Sequence, residues 1–220
     1  MNDKFVKLVE VGPRDGLQNE KSAISAADKI TLIDKLSQSG FELVEATSFV
    51  SPKWVPQLAD AADVMRGIER PHKVRYIALT PNMRGFERAL EAGVDEIAVF
   101  GAASPTFSQK NINCSIDESL TRFAPVVEAA QAEGIGVRGY ISTVVHCPYE
   151  GAVLPHAVLP IAEKLLEMGC YEISLGDTTG HGTPQTVAAL LKHLTAVLTP
   201  TLLAGHFHDT NHQAVANVLT

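Results

Sequence analysis

Residues 155–177 read PHAVLPIAEKLLEMGCYEISLGD, and this stretch contains the repeating unit that decides the fold. Its first part, Pro155–Met168, has the spacing of apolar residues that predicts an amphipathic helix. Gly169 follows directly, as expected for a glycine that ends a helix in the left-handed conformation. The segment Glu172–Leu175 then predicts a short buried strand. The unit is therefore a helix that leads the chain back into a strand.

The same unit recurs on both sides of this stretch. The predicted strands are Lys4–Val11, Leu43–Thr47, Val74–Leu79, Glu96–Gly101, Gly136–Ser142, Glu172–Leu175 and Thr201–His206. The predicted helices are Ala26–Ser39, Val55–Gly67, Met83–Ala92, Ile116–Glu133, Pro155–Met168 and Pro184–Leu198, with a last helix that starts near Asn211. Gly40, Gly93 and Gly134 end three of these helices in the same way as Gly169.

Strands separated by single helices imply a parallel sheet with right-handed crossovers. Seven such units without a linker favour a TIM (β/α)8 barrel. An open doubly wound sheet is the alternative, but no G-x-G-x-x-G motif follows any predicted strand. A complete barrel has eight units, and this sequence stops inside the seventh helix. We therefore expect one catalytic barrel domain over residues 1–220, truncated after strand 7, with its C-terminal part missing.

The composition of the chain indicates which binding partners and which location to expect. A formal net charge of -7 argues against broad contact with nucleic acid or anionic lipid. No apolar run approaches the ~20 residues of a membrane span. The three cysteines are widely spaced, which indicates a reducing compartment, and the N-terminus has no signal-peptide pattern. We expect a cytoplasmic protein without a nucleic-acid or membrane partner.

Three strand ends carry side chains that bind metals. In a TIM barrel the catalytic groups gather at the C-terminal ends of the strands. Gly12-Pro13 predicts a tight turn after the first strand, which projects Arg14 and Asp15. Glu45 lies near the end of the second strand.

His206 and His208 close the seventh strand, and residues i and i+2 of a strand point to the same side. The first and seventh strands of a barrel lie near its seam, so Asp15 and the two histidines are expected to converge. Two histidines and one carboxylate suit Mn, Fe, Co, Zn or, with more oxygen ligands, Mg. The alternative is a pair of packed strand-end histidines and a surface ion pair between Arg14 and Asp15.

The sequence also resembles a known family through several long motifs. They are Glu10-Val11-Gly12-Pro13-Arg14-Asp15-Gly16-Leu17-Gln18-Asn19-Glu20, Thr47-Ser48-Phe49-Val50-Ser51-Pro52-Lys53-Trp54-Val55-Pro56-Gln57, Cys147-Pro148-Tyr149-Glu150-Gly151, Gly169-Cys170-Tyr171-Glu172-Ile173-Ser174-Leu175-Gly176-Asp177-Thr178 and His206-Phe207-His208-Asp209-Thr210. These motifs resemble the 3-hydroxy-3-methylglutaryl-CoA lyases, which are metal-dependent TIM barrels. Isopropylmalate and homocitrate synthases are similar too, since they share the Arg-Asp-Gly and His-x-His elements.

The resemblance implies cleavage of 3-hydroxy-3-methylglutaryl-CoA (HMG-CoA) into acetyl-CoA and acetoacetate, a step of leucine degradation and ketone-body formation. It also implies Mg or Mn bound by Asp15, His206 and His208. The family's fourth ligand, an Asn, and its catalytic Cys have no counterparts before Thr220. A second departure is Asn211-His212, where relatives commonly have Tyr-Gly. We expect a homodimer that acts on an acyl-CoA.

The chemistry of this reaction suggests roles for several side chains. Arg14 is always charged and planar, which suits it to stabilise an enolate beside a metal ligand. Asp177 is a candidate to take or relay the hydroxyl proton, and His206 is a second candidate whose share in this role is difficult if its imidazole is bound to metal. The predicted substrate-binding residues are Arg14, Gln18, Glu45, Ser48, Asn111, Tyr140 and Ser174. Structural hydrogen bonding is an equally valid reading of the polar lining residues.

Two alternative functions are also compatible with the sequence. The protein is alternatively a related acyl-CoA/2-oxo-acid synthase or a lyase for another 3-hydroxyacyl-CoA. It is also alternatively an inactive metal-binding barrel fragment, because it lacks the family's Asn ligand and catalytic Cys.

Overall fold

The computed structural model describes residues 6–220, which form two compact units divided after Ala98. The strands are β1 (Val9–Glu10), β2 (Leu43–Ser48), β3 (Arg75–Leu79), β4 (Glu96–Ala102), β5 (Gly136–Ser142), β6 (His146–Cys147), β7 (Gly151–Ala152), β8 (Glu172–Asp177) and β9 (Leu203–Phe207). The α-helices are α1 (Ala26–Ser37), α2 (Ala61–Gly67), α3 (Met83–Glu91), α4 (Pro105–Ile112), α5 (Ile116–Ala132), α6 (Pro155–Met168), α7 (Pro184–Leu194) and α8 (Ala214–Val218). None of the helices described combines the length and apolar character that crossing a membrane requires.

The first unit is built on parallel strands β1, β2 and β3, which pair in chain order. The register of β2 on β3 shifts between Glu45 and Thr47, so a bulge lies in the strand that carries Glu45. The core of this unit includes the fully buried side chains of Ile33, Met65 and Ile77. Every residue of β2 is buried, as expected for a strand covered on both faces.

The second unit is built on β5, β8 and β9, which are also parallel and pair in that order. Its largest fully buried side chains include Phe123, Leu165 and Leu190. A short antiparallel hairpin, β6 with β7, follows β5. In β9 the residues are half-buried or exposed, in contrast to the buried strands β2 and β8.

The strand order of the main sheet is β1-β2-β3-β4-β5-β8-β9. This order follows the chain without reversal, whereas a doubly wound sheet reverses at a switch point. The seven strands thus correspond to the first seven of a TIM barrel, and the alternative of an open doubly wound sheet is wrong. The expectation of one barrel domain over residues 1–220 stays a prediction.

Several element boundaries agree with the sequence predictions. Helix α6 and strand β5 have the predicted bounds. The four glycines predicted to end helices all have positive φ, between +70° for Gly134 and +111° for Gly169. These angles are easily adopted by glycine, which has no Cβ.

Other boundaries differ. Strand β1 has only two residues, and the predicted start of this strand, Lys4 and Phe5, lies outside the described residues. The predicted helix Val55–Gly67 is a 3-10 turn, Pro56–Leu58, followed by α2. Helix α7 ends at Leu194 rather than Leu198, and α8 begins at Ala214 rather than near Asn211.

Helix α4 was not predicted at all. Its residues, PTFSQKNI, show little apolar periodicity, so the usual helix signal is weak. Its start is nevertheless encoded locally. The Ser104 side chain accepts a hydrogen bond from the Phe107 N–H, and Pro105 occupies the first helical position.

Candidate metal centre and substrate site

The segment after β1 is a π-helical turn, Gly12–Gly16, and not the tight turn that the sequence predicted. The Asp15 N–H donates to the Val11 carbonyl oxygen at 2.7 Å. The Glu10 carboxylate accepts a hydrogen bond from the Gly12 N–H at 2.6 Å. These bonds hold the backbone that carries Arg14 and Asp15, and π-helical turns are frequent at functional sites.

Arg14 lies between two carboxylates. Its Nη1 is 2.8 Å from Asp15 Oδ1, and its Nη2 is 2.9 Å from Glu45 Oε2. Arg14 is 7% exposed, the Asp15 side chain is 21% exposed and Glu45 is fully buried, so the Arg14–Asp15 pair is not the surface ion pair of the alternative reading. Removing two charges from water is costly, and their mutual attraction offsets part of that penalty. Glu45 therefore fixes the position of a guanidinium that stays charged at any ordinary pH.

His206 and His208 lie at the end of β9 with their rings close together. The ring centroids are 5.0 Å apart, and the planes meet at 67°. Nδ1 of His208 is 2.9 Å from the Thr178 carbonyl oxygen. A carbonyl oxygen only accepts hydrogen bonds, so Nδ1 carries the proton and Nε2 keeps its lone pair. A metal-binding histidine typically has this arrangement.

The predicted ligands come together. Asp15, His206 and His208 each offer one ligand atom, and these atoms lie within 4.8 Å of one another. All three residues are half-buried. Imidazole nitrogens and a carboxylate oxygen are ligands for divalent first-row cations, so the donor set fits a metal ion. The cluster is a possible metal-binding triad.

Asp177, at the end of β8, is fully buried. Its Oδ1 accepts from the His181 N–H at 3.2 Å, and its Oδ2 accepts from the Gly182 N–H at 2.8 Å. Both oxygens are thus engaged by the backbone of the segment that follows. The predicted role of Asp177 in moving a proton stays a prediction.

Two of the predicted substrate-binding residues lie side by side. Tyr140 of β5 and Ser174 of β8 are opposite one another in the strand register, and both are buried. The Arg138 guanidinium lies 5.5 Å from the centre of the Tyr140 ring. Ser48 is buried, and its Oγ accepts from the Val50 N–H, whereas Asn111 is exposed on α4. Their substrate-binding roles stay predictions.

Gln18 lines a groove in the first unit. The groove has a volume of about 500 Å³ and is lined by Gln18, Asn19, Glu20, Lys21, Ala23, Trp54, Val55, Pro56 and Gln57. Trp54 is 81% exposed. The Gln57 amide joins the two walls, because it accepts from the Ile24 N–H and donates to the Ser22 carbonyl oxygen at 2.8 Å. The Gln57 amide therefore connects the two chain segments that line the groove.

The three cysteines are all buried and free. Burial raises the pKa of the Cys170 thiol to about 12, so this group stays protonated at neutral pH. A protonated, buried thiol is a poor nucleophile. For Cys170, this agrees with the expectation that the family's catalytic Cys has no counterpart before Thr220.

Two buried residues that contact the segment after β8 were not predicted from the sequence. Thr143, after β5, is buried and has φ +59°, an outlying value for a β-branched residue. Asn217 of α8 is 2% exposed, and its Nδ2 donates to the Gly182 carbonyl oxygen at 2.9 Å. The only sequence signal for Asn217 is an amide within an apolar helix, AVANV.

Comparison with known proteins identifies relatives along nearly the whole chain. The family model described as HMGL-like matches residues 5–220. The bovine (Bos taurus) protein named hydroxymethylglutaryl-CoA lyase, mitochondrial, is 58% identical over 99% of this chain and 67% of its own length. A Pseudomonas aeruginosa protein named 3-hydroxy-3-isohexenylglutaryl-CoA/hydroxy-methylglutaryl-CoA lyase is 57% identical over 98% of this chain and 72% of its own length. The chain spans 64% of the zebrafish (Danio rerio) protein named as a cytoplasmic HMG-CoA lyase.

Solved structures give the same result. The HMG-CoA lyase from Brucella melitensis has a TM-score of 0.96 and 55% identity, with coverage of 97% of this chain and 76% of that one. An HMG-CoA lyase from Acinetobacter baumannii, in complex with coenzyme A and 3-methylmalate, has a TM-score of 0.92 and 37% identity, with 97% of this chain and 70% of that one covered. These matches confirm the TIM-barrel class, and by family and by structure the chain belongs to the HMGL-like family.

Proposed function

We propose that this protein is a divalent-metal-dependent carbon–carbon lyase that cleaves HMG-CoA into acetyl-CoA and acetoacetate. The main support is the triad Asp15, His206 and His208, whose ligand atoms lie within 4.8 Å of one another. Asp15 also pairs with Arg14, so a guanidinium is bonded to one of the candidate ligands. The names of the relatives at 57–58% identity point to the same reaction.

The reaction sets two problems for the protein. The tertiary hydroxyl of HMG-CoA loses its proton and becomes the ketone of acetoacetate as the neighbouring carbon–carbon bond breaks. The electron pair of that bond passes to the thioester fragment, which leaves as an enolate and takes up a proton to become acetyl-CoA. A very weak acid at the start and an unstable anion at the end both need stabilisation.

A divalent cation held by Asp15, His206 and His208 would supply Lewis-acid stabilisation of charge on substrate oxygen, worth several kcal/mol. Arg14 supplies a fixed positive charge for the oxygen on which the enolate develops. Its burial keeps water from weakening that attraction, and Glu45 holds it in place. A general base alone contributes ~10²–10⁴-fold, about 3–5 kcal/mol, whereas enzymes lower barriers by roughly 8–23 kcal/mol, so electrostatic stabilisation is needed as well.

The proposal extends to the metal ion, the location and the oligomeric state. We propose Mg or Mn as the ion, as the family resemblance implies; two imidazoles and one carboxylate suit Mn, and also Mg when further oxygen ligands complete the site. We propose a cytoplasmic location; the zebrafish relative is named cytoplasmic, whereas the bovine relative is named mitochondrial. We also propose that the protein acts as a homodimer.

A second substrate is favoured by one comparison. The Pseudomonas aeruginosa relative carries the name of a lyase for 3-hydroxy-3-isohexenylglutaryl-CoA as well as HMG-CoA. That compound differs from HMG-CoA only in the substituent at carbon 3, so the same bond would break by the same chemistry. Values of kcat/KM for the two thioesters, measured side by side, rank the two candidates.

The test is direct. The 220-residue protein is incubated with HMG-CoA and Mg or Mn, and acetoacetate is followed by its NADH-dependent reduction with an added 3-hydroxybutyrate dehydrogenase. We expect acetoacetate from the unaltered protein and a loss of at least ~10²-fold in kcat for His206→Ala. His156→Ala is the matched control, because His156 is exposed on α6 and is distant in sequence from all three residues of the triad. No acetoacetate with either metal would contradict the proposal and favour an inactive fragment.

A further inference from the structure

The segment 177–182, called here the 177–182 loop, contacts His208 directly. The Thr178 carbonyl oxygen lies 2.9 Å from His208 Nδ1. The ring orientation of His208 and the nitrogen that carries its proton therefore depend on where the loop places this carbonyl group.

The Asp177 carboxylate closes the loop from inside. It accepts hydrogen bonds from the His181 and Gly182 N–H groups, at 3.2 and 2.8 Å. The backbone adds a turn, since the Gly180 N–H donates to the Asp177 carbonyl oxygen at 3.0 Å. A fully buried carboxylate with two backbone donors is a strong constraint on the loop, because hydrogen bonds to charged groups are stronger than those to neutral ones.

Asn217 holds the loop from the other side. Its Nδ2 donates to the Gly182 carbonyl oxygen at 2.9 Å, and the side chain is almost completely buried. A Cβ added at Gly182 would lie 2.7 Å from Asp177 Oδ2 and 3.2 Å from Asn217 Nδ2. Gly182 is therefore enclosed by these two side chains, and a larger residue would push them apart.

Thr143 provides a third contact, at Thr178 itself. The Thr143 N–H donates to Thr178 Oγ1 at 2.9 Å. Thr143 adopts φ +59° with a β-branched side chain, a conformation that costs of order 1–3 kcal/mol and persists only where the surroundings enforce it. Such strain is concentrated at functional sites.

We propose that Asp177 and Asn217 are positioning residues, which fix the 177–182 loop so that the Thr178 carbonyl group holds His208 with its proton on Nδ1. The lone pair of Nε2 is then directed to the cation. The role of the cation rests on the proposed function, whereas the effect on His208 does not. Neither residue needs to touch the substrate for this role.

The state of His208 can be measured without metal or substrate. In the uniformly ¹⁵N-labelled, metal-free protein, well above the imidazole pKa of about 6.5, ring nitrogen shifts distinguish the two tautomers. The His208 signal is assigned by its loss in His208→Gln. We expect the Nδ1–H form in the unaltered protein and a mixture of tautomers in Asp177→Asn and Asn217→Leu. An Nε2–H form of His208 in the unaltered protein would overturn the proposal.

The second readout is the affinity for Mn²⁺ alone, from the free-ion EPR signal. We expect 10–100-fold weaker binding in Asp177→Asn and Asn217→Leu, the usual effect of losing support behind a metal ligand. Gly182→Ala keeps both side chains but displaces them, so it should weaken Mn²⁺ binding as well. Asp117→Asn is the control, because this carboxylate is 84% exposed on α5 and should leave binding unchanged.

The outcomes separate the two possible roles of Asp177. A proton carrier would give an Asp177→Asn variant with low kcat but unaltered Mn²⁺ affinity and His208 tautomer, and that result would overturn the positioning role. A protein that binds Mn²⁺ and shows the expected tautomers, yet does not cleave HMG-CoA, would contradict the proposed function and leave the positioning role intact.

Discussion

Arg14 is enclosed by Asp15 and Glu45, and the planar guanidinium contacts the two carboxylates through different nitrogens. A lysine has one ammonium group and cannot reproduce this geometry. We expect Arg14→Lys to lower kcat by about 10²–10³-fold, as for loss of one group that stabilises an anionic transition state. Steady-state kinetics with HMG-CoA measure the effect.

The matching control is Arg122→Lys on α5, which is exposed and should keep full activity. A change in KM alone for Arg14→Lys would mean that Arg14 binds the substrate without stabilising the transition state, contrary to the role proposed. Thermal unfolding followed by circular dichroism checks that the variant is folded.

His212 lies in a conformation that suits glycine. Its φ is +56°, and its side chain is 92% exposed. Left-handed conformations cost roughly 1–2 kcal/mol for residues with a Cβ, and histidine is one of the few that tolerate them. We expect His212→Gly to raise the free energy of unfolding by up to about 1 kcal/mol, measured by urea titration.

The opposite sign is expected at a helical position. His156→Gly, in the first turn of α6, should lower the free energy of unfolding, since glycine loses more backbone entropy in a helix. Equal effects at both positions would show that the left-handed conformation of His212 carries no strain.

At the residue scale, the sequence was sufficient where local rules apply. His206 and His208 were predicted to act together because alternate residues of a strand share a side, and their rings are indeed adjacent. The burial of Arg14 by Glu45, and the contact of Asn217 with Gly182, depend on residues about 30 positions apart. Local pattern does not contain such information.

The loops that follow β1 and β2 are joined by one amide. Gln57 accepts from Ile24 N–H and donates to the carbonyl oxygens of Ser22 and Glu20. Lys29 of α1 fixes the same region through the Gln57 carbonyl oxygen and the Asp60 carboxylate, at 2.8 Å from Oδ1. We expect Gln57→Ala to loosen residues 19–25, because three hydrogen bonds are lost.

Limited trypsin digestion measures this loosening at Lys21, which is exposed in the same loop. Cleavage after Lys21 should be several-fold faster in Gln57→Ala than in the unaltered protein. Gln185→Ala, at an exposed position in the first turn of α7, should leave the cleavage rate unchanged. Equal rates in all three proteins would show that the Gln57 amide does not hold the loop.

At the scale of helices and strands, the predicted boundaries are correct where a glycine ends a helix. Gly134 and Gly169 mark the ends of α5 and α6, and β5 begins where expected. The strand before Gly12 was predicted too long, because Val6 and Leu8 are apolar yet 73% and 64% exposed. An apolar run alone does not show whether a pairing partner is present; among the described residues 6–11, only Val9 and Glu10 pair, with Leu43 and Val44.

For the whole molecule, metal binding should appear as stability. A ligand that binds only the folded state adds RT ln(1 + [L]/Kd), about 2.7 kcal/mol at a concentration 100-fold above Kd. We expect Mn²⁺ to raise the unfolding temperature of the unaltered protein and to have little effect on Asp15→Ala. Circular dichroism at increasing Mn²⁺ concentration measures this shift.

His72→Ala, at an exposed position of the first unit, should keep the full Mn²⁺ response. The expectation fails if Mn²⁺ stabilises Asp15→Ala as much as the unaltered protein, since the ion would then bind elsewhere.

For the whole molecule, the barrel class was predicted from the alternation of strands and helices in the sequence. The Mn²⁺ titration tests whether the triad Asp15, His206 and His208 binds the ion.

Trp54, in the groove of the first unit, is the only tryptophan of the chain and is 81% exposed. Its indole is therefore already surrounded by water in the native protein, and unfolding changes its surroundings little. Selective excitation of this fluorophore will report on the loop after β2, and a flat emission trace during denaturation will not mean that the core is intact.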